Sequence, residues 1–195
     1  IMITFVFFDI NESNMQIYKQ ILGKEIKKHF DKTFFACGDI RTIIRNFHAD
    51  YITLVIVSPA NSFGNMKGGI DFHILAMYPQ CEIQVKKAIS NSKYITKSGM
   101  PHIPVGKCKI INIQNTNNYL LIAPTMFTPR DINYTNNVLL AFKAIYDKIK
   151  KIYVANELHN IIVVCSCLGT GVGNLSANES AQQILSVLLS AKYNT

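Results

Sequence analysis

Two glycine-bearing segments, about a hundred residues apart, carry the residue types that could hold a phosphate. The first, residues 58–71, reads Ser-Pro-Ala-Asn-Ser-Phe-Gly-Asn-Met-Lys-Gly-Gly-Ile-Asp. The second, residues 165–174, reads Cys-Ser-Cys-Leu-Gly-Thr-Gly-Val-Gly-Asn. Each follows a short β-branched run, 52–57 and 161–164, and each leads into a helix-like pattern. Glycine permits positive φ and close backbone approach, so consecutive N–H groups can turn toward an anion at a helix N-terminus. One such loop says little. Two, at the ends of strands that could neighbour each other in a sheet, point to a cleft gripping a diphosphate from both sides. Asp71 closes the first loop with a carboxylate, which could act as a base in that cleft or cap a helix starting at Phe72.

The elements that must position these loops can be read from periodicity. Residues 3–9 form an apolar run that predicts a buried strand, and 11–14 offer helix caps. Ile17, Ile21, Leu22 and Ile26 recur at helical spacing, predicting a helix over about 13–30. A second strand is expected at 33–37, a short helix on Ile40, Ile43, Ile44 and Phe47, and a third strand at 51–57. After the first glycine loop, Ile70, Ile74 and Met77 begin a helix that Pro79 interrupts, and a further helix spans about 80–90. Residues 91–104 read as an exposed loop. Residues 105–113 and 119–123 read as a strand pair, and 124–130 as loop. Leu139, Phe142, Ile145, Tyr146 and Ile149 mark an amphipathic helix. Residues 161–164 are the last strand, and Ala181, Ile184, Leu185 and Leu188 line the final helix. Strands alternating with helices imply a three-layer α/β/α sandwich on a mixed, mostly parallel central sheet.

At 195 residues the chain is read as a single domain, 1–195. Its 49% apolar and 16% charged residues suit a packed core, and no apolar run is long enough to span a bilayer, so no membrane partner is expected. No export signal is visible at the N-terminus. Five cysteines without Cys-x-x-Cys spacing argue against a disulfide framework or structural zinc, and the histidines form no metal-ligand pairs. The expectation is a cytoplasmic domain with no metal. The net charge of +8 rests partly on lysine clusters at 24–28, 86–87 and 148–151. These are either solvated helix faces or the source of a field that attracts nucleic acid or a phosphorylated ligand. A basic stripe along one face would favour the second.

With its loops placed, the chain resembles the macro domain family, the ADP-ribose-binding α/β modules, over roughly residues 33–190. Three motifs in order carry the resemblance: Gly38-Asp39-Ile40; Pro-Ala-Asn-Ser over 59–62 with Gly-Gly-Ile-Asp over 68–71; and Leu-Gly-Thr-Gly-Val-Gly over 168–173. The form of the first glycine loop looks closest to the macro-like proteins of phages and large DNA viruses. The resemblance implies ADP-ribose as the ligand, with no further cofactor, and ADP-ribosylated protein or nucleic acid as partners. It implies that Asp39 accepts the adenine amino group beside the Ile40 backbone. Asp39 could equally cap the helix near Thr42. Asn61, flanked by Ala60 and Ser62, would bond the distal ribose hydroxyls. Gly68, Gly69 and Ile70 would offer N–H groups to the diphosphate and distal ribose. Leu168, Gly169, Thr170, Gly171, Val172, Gly173 and Asn174 would wrap the diphosphate from the other side.

In hydrolytic macro domains the acid matching Asp71 orients or activates a water, so Asp71 and Asn61 are the expected catalytic pair of an ADP-ribosyl hydrolase. Its substrate would be a modified protein, a modified nucleic acid or ADP-ribose 1″-phosphate. The chain also departs from the active pattern. Asn174 and Leu175 stand where many active members carry a second-loop aromatic, residues 63–67 make the first loop longer, and Ser166 and Cys167 replace a Pro and a small residue. Cys167 is either a reactive loop thiol or an inert buried one. Hydrolase and non-catalytic reader both stay open on the sequence.

Overall fold

The computed structural model describes residues 2–47, 52–155 and 160–191. Its sheet grows from the apolar runs. β1 (Ile3–Asp9), β3 (Thr53–Ser58) and β6 (Ile161–Ser166) are buried along almost their whole length, as parallel strands covered on both faces must be. Because successive side chains point to opposite faces, Ile3, Phe5 and Phe7 of β1 join one core, while Val6 and Phe8 join another. The same alternation divides Val55 and Val57 from Leu54 and Ile56, and Val163 and Cys165 from Ile162 and Val164.

Helices cover each face. α1 (Glu12–Leu22), α5 (Asn137–Val154) and α6 (Ala177–Ala191) bury Tyr18, Phe142, Ile145, Ile184 and Leu188 in the first core. α2 (Ile40–Phe47), α3 (Gly69–Met77) and α4 (Cys81–Ser90) bury Ile43, Ile74 and Val85 in the second. With β2 (Lys32–Cys37), β4 (Lys109–Asn112) and β5 (Tyr119–Ile122), the six strands lie in the order β2-β1-β6-β3-β5-β4. All pairings are parallel except β4 with β5. This is the expected three-layer sandwich. No described helix is long and apolar enough to cross a membrane.

Four local expectations need correction. The helix expected over 13–30 stops at Leu22, because the N–H of Glu25 bonds to the carbonyl of Leu22 only three residues back. That tightening leads into a 3-10 turn, Ile26–Lys28, which still buries Ile26. The strand expected over 105–113 contracts to Lys109–Asn112, since Gly106 takes φ 85° in a turn where Lys107 N–H bonds to Pro104. The third strand starts at Thr53, and Tyr51 lies outside the described residues. The loop over 91–104 is not wholly exposed: Ile103 is buried and its N–H bonds to Ser62.

Candidate functional site

The carboxyl ends of parallel strands are where open α/β sheets gather ligands, and a cavity opens there. It measures about 730 Å³, within the range of small-molecule sites. Phe8 and Asp9 come from the end of β1, Asp39 and Ile40 from the turn after β2, Pro59, Ala60 and Asn61 from the end of β3, and Ser166 and Cys167 from the end of β6. Since β3 and β6 pair directly, their two following loops face each other across this opening. Gly68, Gly69, Ile70 and Asp71 line one wall, and Gly169, Thr170, Gly171, Val172 and Gly173 line the other.

The glycines here serve different ends. Gly169 takes φ 76°, and a Cβ there would come within 2.9 Å of Val138 and 3.0 Å of Ile132, so it shapes the loop. Gly171 has nothing within 4 Å of a would-be Cβ and faces open space. The loop is closed by bonds from Leu175 N–H to Gly169 O at 3.0 Å and from Asn174 N–H to Gly171 O at 2.9 Å. Among the described residues the N–H groups of Gly68, Gly171 and Val172 have no acceptor. On the first wall, α3 starts at Gly69, so its orphan N–H groups and positive dipole end open on the cavity.

Asp71 sits inside the first turn of α3 and is only 4% exposed. It does not cap a helix beginning at Phe72. Gly68 is the cap residue, without a side-chain bond, and Asp71 Oδ1 instead accepts a 2.7 Å hydrogen bond from the Ser58 hydroxyl at the end of β3. Burial pushes the Asp71 carboxyl up to about 7, against the opposing pull of the Ser58 bond. A carboxyl that exchanges its proton near neutrality, on the wall of a cavity, suits general acid–base work.

Asn61 is 6% exposed, and its Oδ1 accepts the N–H groups of Phe63 at 3.0 Å and Asn65 at 3.4 Å. Its Nδ2 has no acceptor among the described residues and is left to donate. Asp39 caps α2: Oδ1 accepts from Arg41 N–H at 2.8 Å and Thr42 N–H at 3.1 Å. Those amide bonds, Thr42 foremost, together with the nearby Arg41 charge, hold its carboxyl below the ordinary range. The side chain stays 44% exposed at the cavity edge, where Oδ2 accepts only a long 3.4 Å bond from the Thr42 hydroxyl.

Three residues expected at the ligand do not line this cavity. Ser62 is fully buried with its hydroxyl donating to Met126 O at 3.4 Å, Leu168 is in the core, and Asn174 donates to Asp131 Oδ2 at 2.9 Å. Burial drives the Cys167 thiol far above its usual range, and the neighbouring Asp9 adds to this, so the thiolate is disfavoured. The sequence reading missed Asp9, Phe72, His73, Thr125 and Pro129, which also line the cavity. Asp9 had a signal, as the acid ending an apolar strand. Phe72 is 57% exposed on the first turn of α3, with its ring edge-on to His73 at 5.6 Å, and only its place beside Asp71 could have marked it.

The family model described as Macro domain matches residues 57–184. Among solved structures, the macrodomain of Mycobacterium tuberculosis DarG aligns with a TM-score of 0.54 at 20% identity, covering 80% of this chain and 89% of that one. The macrodomain of Thermus aquaticus DarG aligns at 0.50 and 18%, covering 74% and 85%. Thermosipho africanus DarTG in complex with ADP-ribose aligns at 0.50 and 14%, covering 71% of this chain and 35% of that longer one. No curated protein matches the chain.

Proposed function

The chain belongs to the macro domain family, and on that premise we propose that its cavity binds ADP-ribose and hydrolyses the bond joining it to a carrier. The observation that carries the proposal is Asp71, a buried carboxyl pushed up to about 7 on the wall between two glycine loops. The diphosphate lies between Gly68-Gly69-Ile70 and the loop at 169–173, bound by backbone N–H donors. Adenine meets Asp39 and Ile40, and the distal ribose lies against Asn61 and Asp71. One structural neighbour is recorded in complex with ADP-ribose, which supports the ligand class.

In this reading the ionised Asp71 takes a proton from a water whose oxygen attacks the anomeric carbon of the distal ribose. The bond from that carbon to the carrier breaks, the bonding pair leaves with the carrier, and the carrier gains a proton from solvent. The Asp71 carboxylate favours the positive charge that develops on the ribose, while the N–H dipoles hold the diphosphate. The carrier is a modified protein, a modified nucleic acid, or the phosphate of ADP-ribose 1″-phosphate. Incubating a mono-ADP-ribosylated protein with the domain, beside Asp71→Ala, should release ADP-ribose with the native chain only. Equal and negligible release by both would remove the enzymatic half of the proposal.

A second reading, a reader that binds ADP-ribose without cleaving it, is favoured by one observation. Where an aromatic ring would stack near the distal ribose, Leu175 is 4% exposed and Asn174 is tied to Asp131. It predicts saturable ADP-ribose binding with no release from any carrier.

A further inference from the structure

Two of the three lysine clusters, far apart in the chain, merge on one face of the fold. Lys150 Nζ donates to the carbonyl of His29, and His29 Nδ1 and the Tyr146 hydroxyl are hydrogen-bonded at 2.9 Å, locking the 3-10 turn onto α5. The Lys150 ammonium also lies 5.2 Å from the centre of the Phe30 ring and 5.6 Å from that of Tyr146. Lys27 is exposed on that turn. Lys148, Lys150 and Lys151 line a concavity of about 540 Å³ at the end of α5. Lys107 joins them, since its neighbour Cys108 donates its thiol to Ala144 O on α5, one turn before Lys148. Nearby acids are engaged: Asp147 pairs with Lys143 at 2.9 Å, Glu25 with Lys28 at 2.9 Å, and Asp31, whose charge acts on Lys150, accepts the Ile3 N–H at 2.6 Å. Among the described residues, Lys27, Lys107, Lys148 and Lys151 have no carboxylate partner. The remaining cluster differs, because Lys86 is paired with Glu82 on α4, which covers the opposite face of the sheet.

This face is remote from the ADP-ribose cavity. α5 starts beside the cavity wall, where the Asn137 side chain donates to Thr125 O, and runs 18 residues, about 27 Å, before reaching Val154. We infer that the lysine face formed by Lys27, Lys107, Lys148 and Lys151, held together by the Lys150 contact, binds the phosphodiester backbone of a nucleic acid, as an interaction surface separate from the cavity. Charge complementarity selects this occupant. The Lys148 and Lys151 ammonium groups at the concavity, with Lys27 and Lys107, have no carboxylate partner among the described residues and match a chain of phosphates, releasing its condensed counterions. A protein partner would want an aromatic or apolar centre, whereas the exposed apolar side chains lining the concavity are Val154 and the small Ala155. The inference does not depend on the ADP-ribose reading.

The test is fluorescence anisotropy with a labelled, mixed-sequence oligonucleotide of about 20 nucleotides, titrated at salt from about 50 to 200 mM. Binding should weaken linearly on a log–log plot against salt. The variant Lys27→Gln/Lys148→Gln/Lys151→Gln should bind about tenfold more weakly at about 100 mM salt and lower the slope by about two. Its thermal midpoint and its calorimetric affinity for ADP-ribose should be unchanged. Gly171→Glu, which fills the cavity, should leave oligonucleotide binding intact. An unchanged affinity and slope in the lysine variant would overturn the inference. So would tighter binding to poly-glutamate or to phosphatidylserine vesicles than to the oligonucleotide, since either would hand the face to a different partner.

Discussion

The hydroxyl of Ser58 donates a 2.7 Å hydrogen bond to the carboxylate of Asp71, joining the end of β3 to the first turn of α3. This bond spans the first glycine loop, so it holds the loop closed at its base while Gly68 and Gly69 stay open above it. It also opposes the desolvation that raises the Asp71 carboxyl. One contact therefore fixes the position of the acid proposed to act on water and tempers the proton affinity that burial gives it.

Stability should depend on pH through Asp71. In the unfolded chain its carboxyl titrates near 3.8, and in the folded chain at about 7. Between those values the folded state holds the extra proton, so stability falls as pH rises through this window and levels off above about 7. The full displacement is worth up to about 4 kcal/mol. Asp71→Asn removes the buried charge and keeps an acceptor for Ser58. Thermal melts should show the variant more stable than the native chain at pH 8 and equal to it near pH 4. A gap independent of pH would refute the burial account.

The Ser58 bond should be visible in kinetics. Ser58→Ala deletes the donor that favours ionised Asp71, so the half-maximal pH for ADP-ribose release should rise further above about 7. A uniform loss of rate at every pH would mean that Ser58 serves packing alone.

Two glycines of the second loop should separate fold from ligand. Gly169→Ala meets Val138 and Ile132 at a φ of 76° and should cost about 1–3 kcal/mol of stability by chemical denaturation. Gly171→Glu has open space and should unfold at the native midpoint. Equal destabilisation by both would contradict the described loop geometry.

Asp39 carries a dual role that base substitution can resolve. If its Oδ2, which also accepts from the Thr42 hydroxyl at 3.4 Å, takes the adenine amino group, the native chain should prefer ADP-ribose over the inosine analogue, whose base presents an oxygen there. The preference should be about tenfold, the scale of one hydrogen bond to a charged group. Asp39→Ala should abolish that preference in competition calorimetry. A preference retained in the variant would assign Asp39 to capping α2 only.

The parallel core was legible in the chain because β1, β3 and β6 are continuous apolar runs ended by polar turns, and the loops after β3 and β6 stood out by glycine spacing. The end of α1 was not. Ile26 and Phe30 keep the apolar period and are buried, yet the backbone has already tightened into a 3-10 turn, and periodicity records burial rather than hydrogen-bond geometry. The partner of Asp71 was equally hidden, since Ser58 lies 13 residues away and only the strand-to-helix return brings the two together. Phe72 and His73 carried no pattern, because exposed side chains on a cavity wall obey no core periodicity. The merger of two lysine clusters depends on a contact between residues 121 apart, which no local reading can reach.

Backbone amides from the loops at 68–70 and 169–173 meeting one pyrophosphate is the claim on which the functional account rests, and calorimetric titration with ADP-ribose tests it most directly. The native chain should show saturable one-site binding, and Gly171→Glu, folded but with a carboxylate in the phosphate loop, should show none. Undiminished affinity in that variant, or no binding by the native chain, would contradict it.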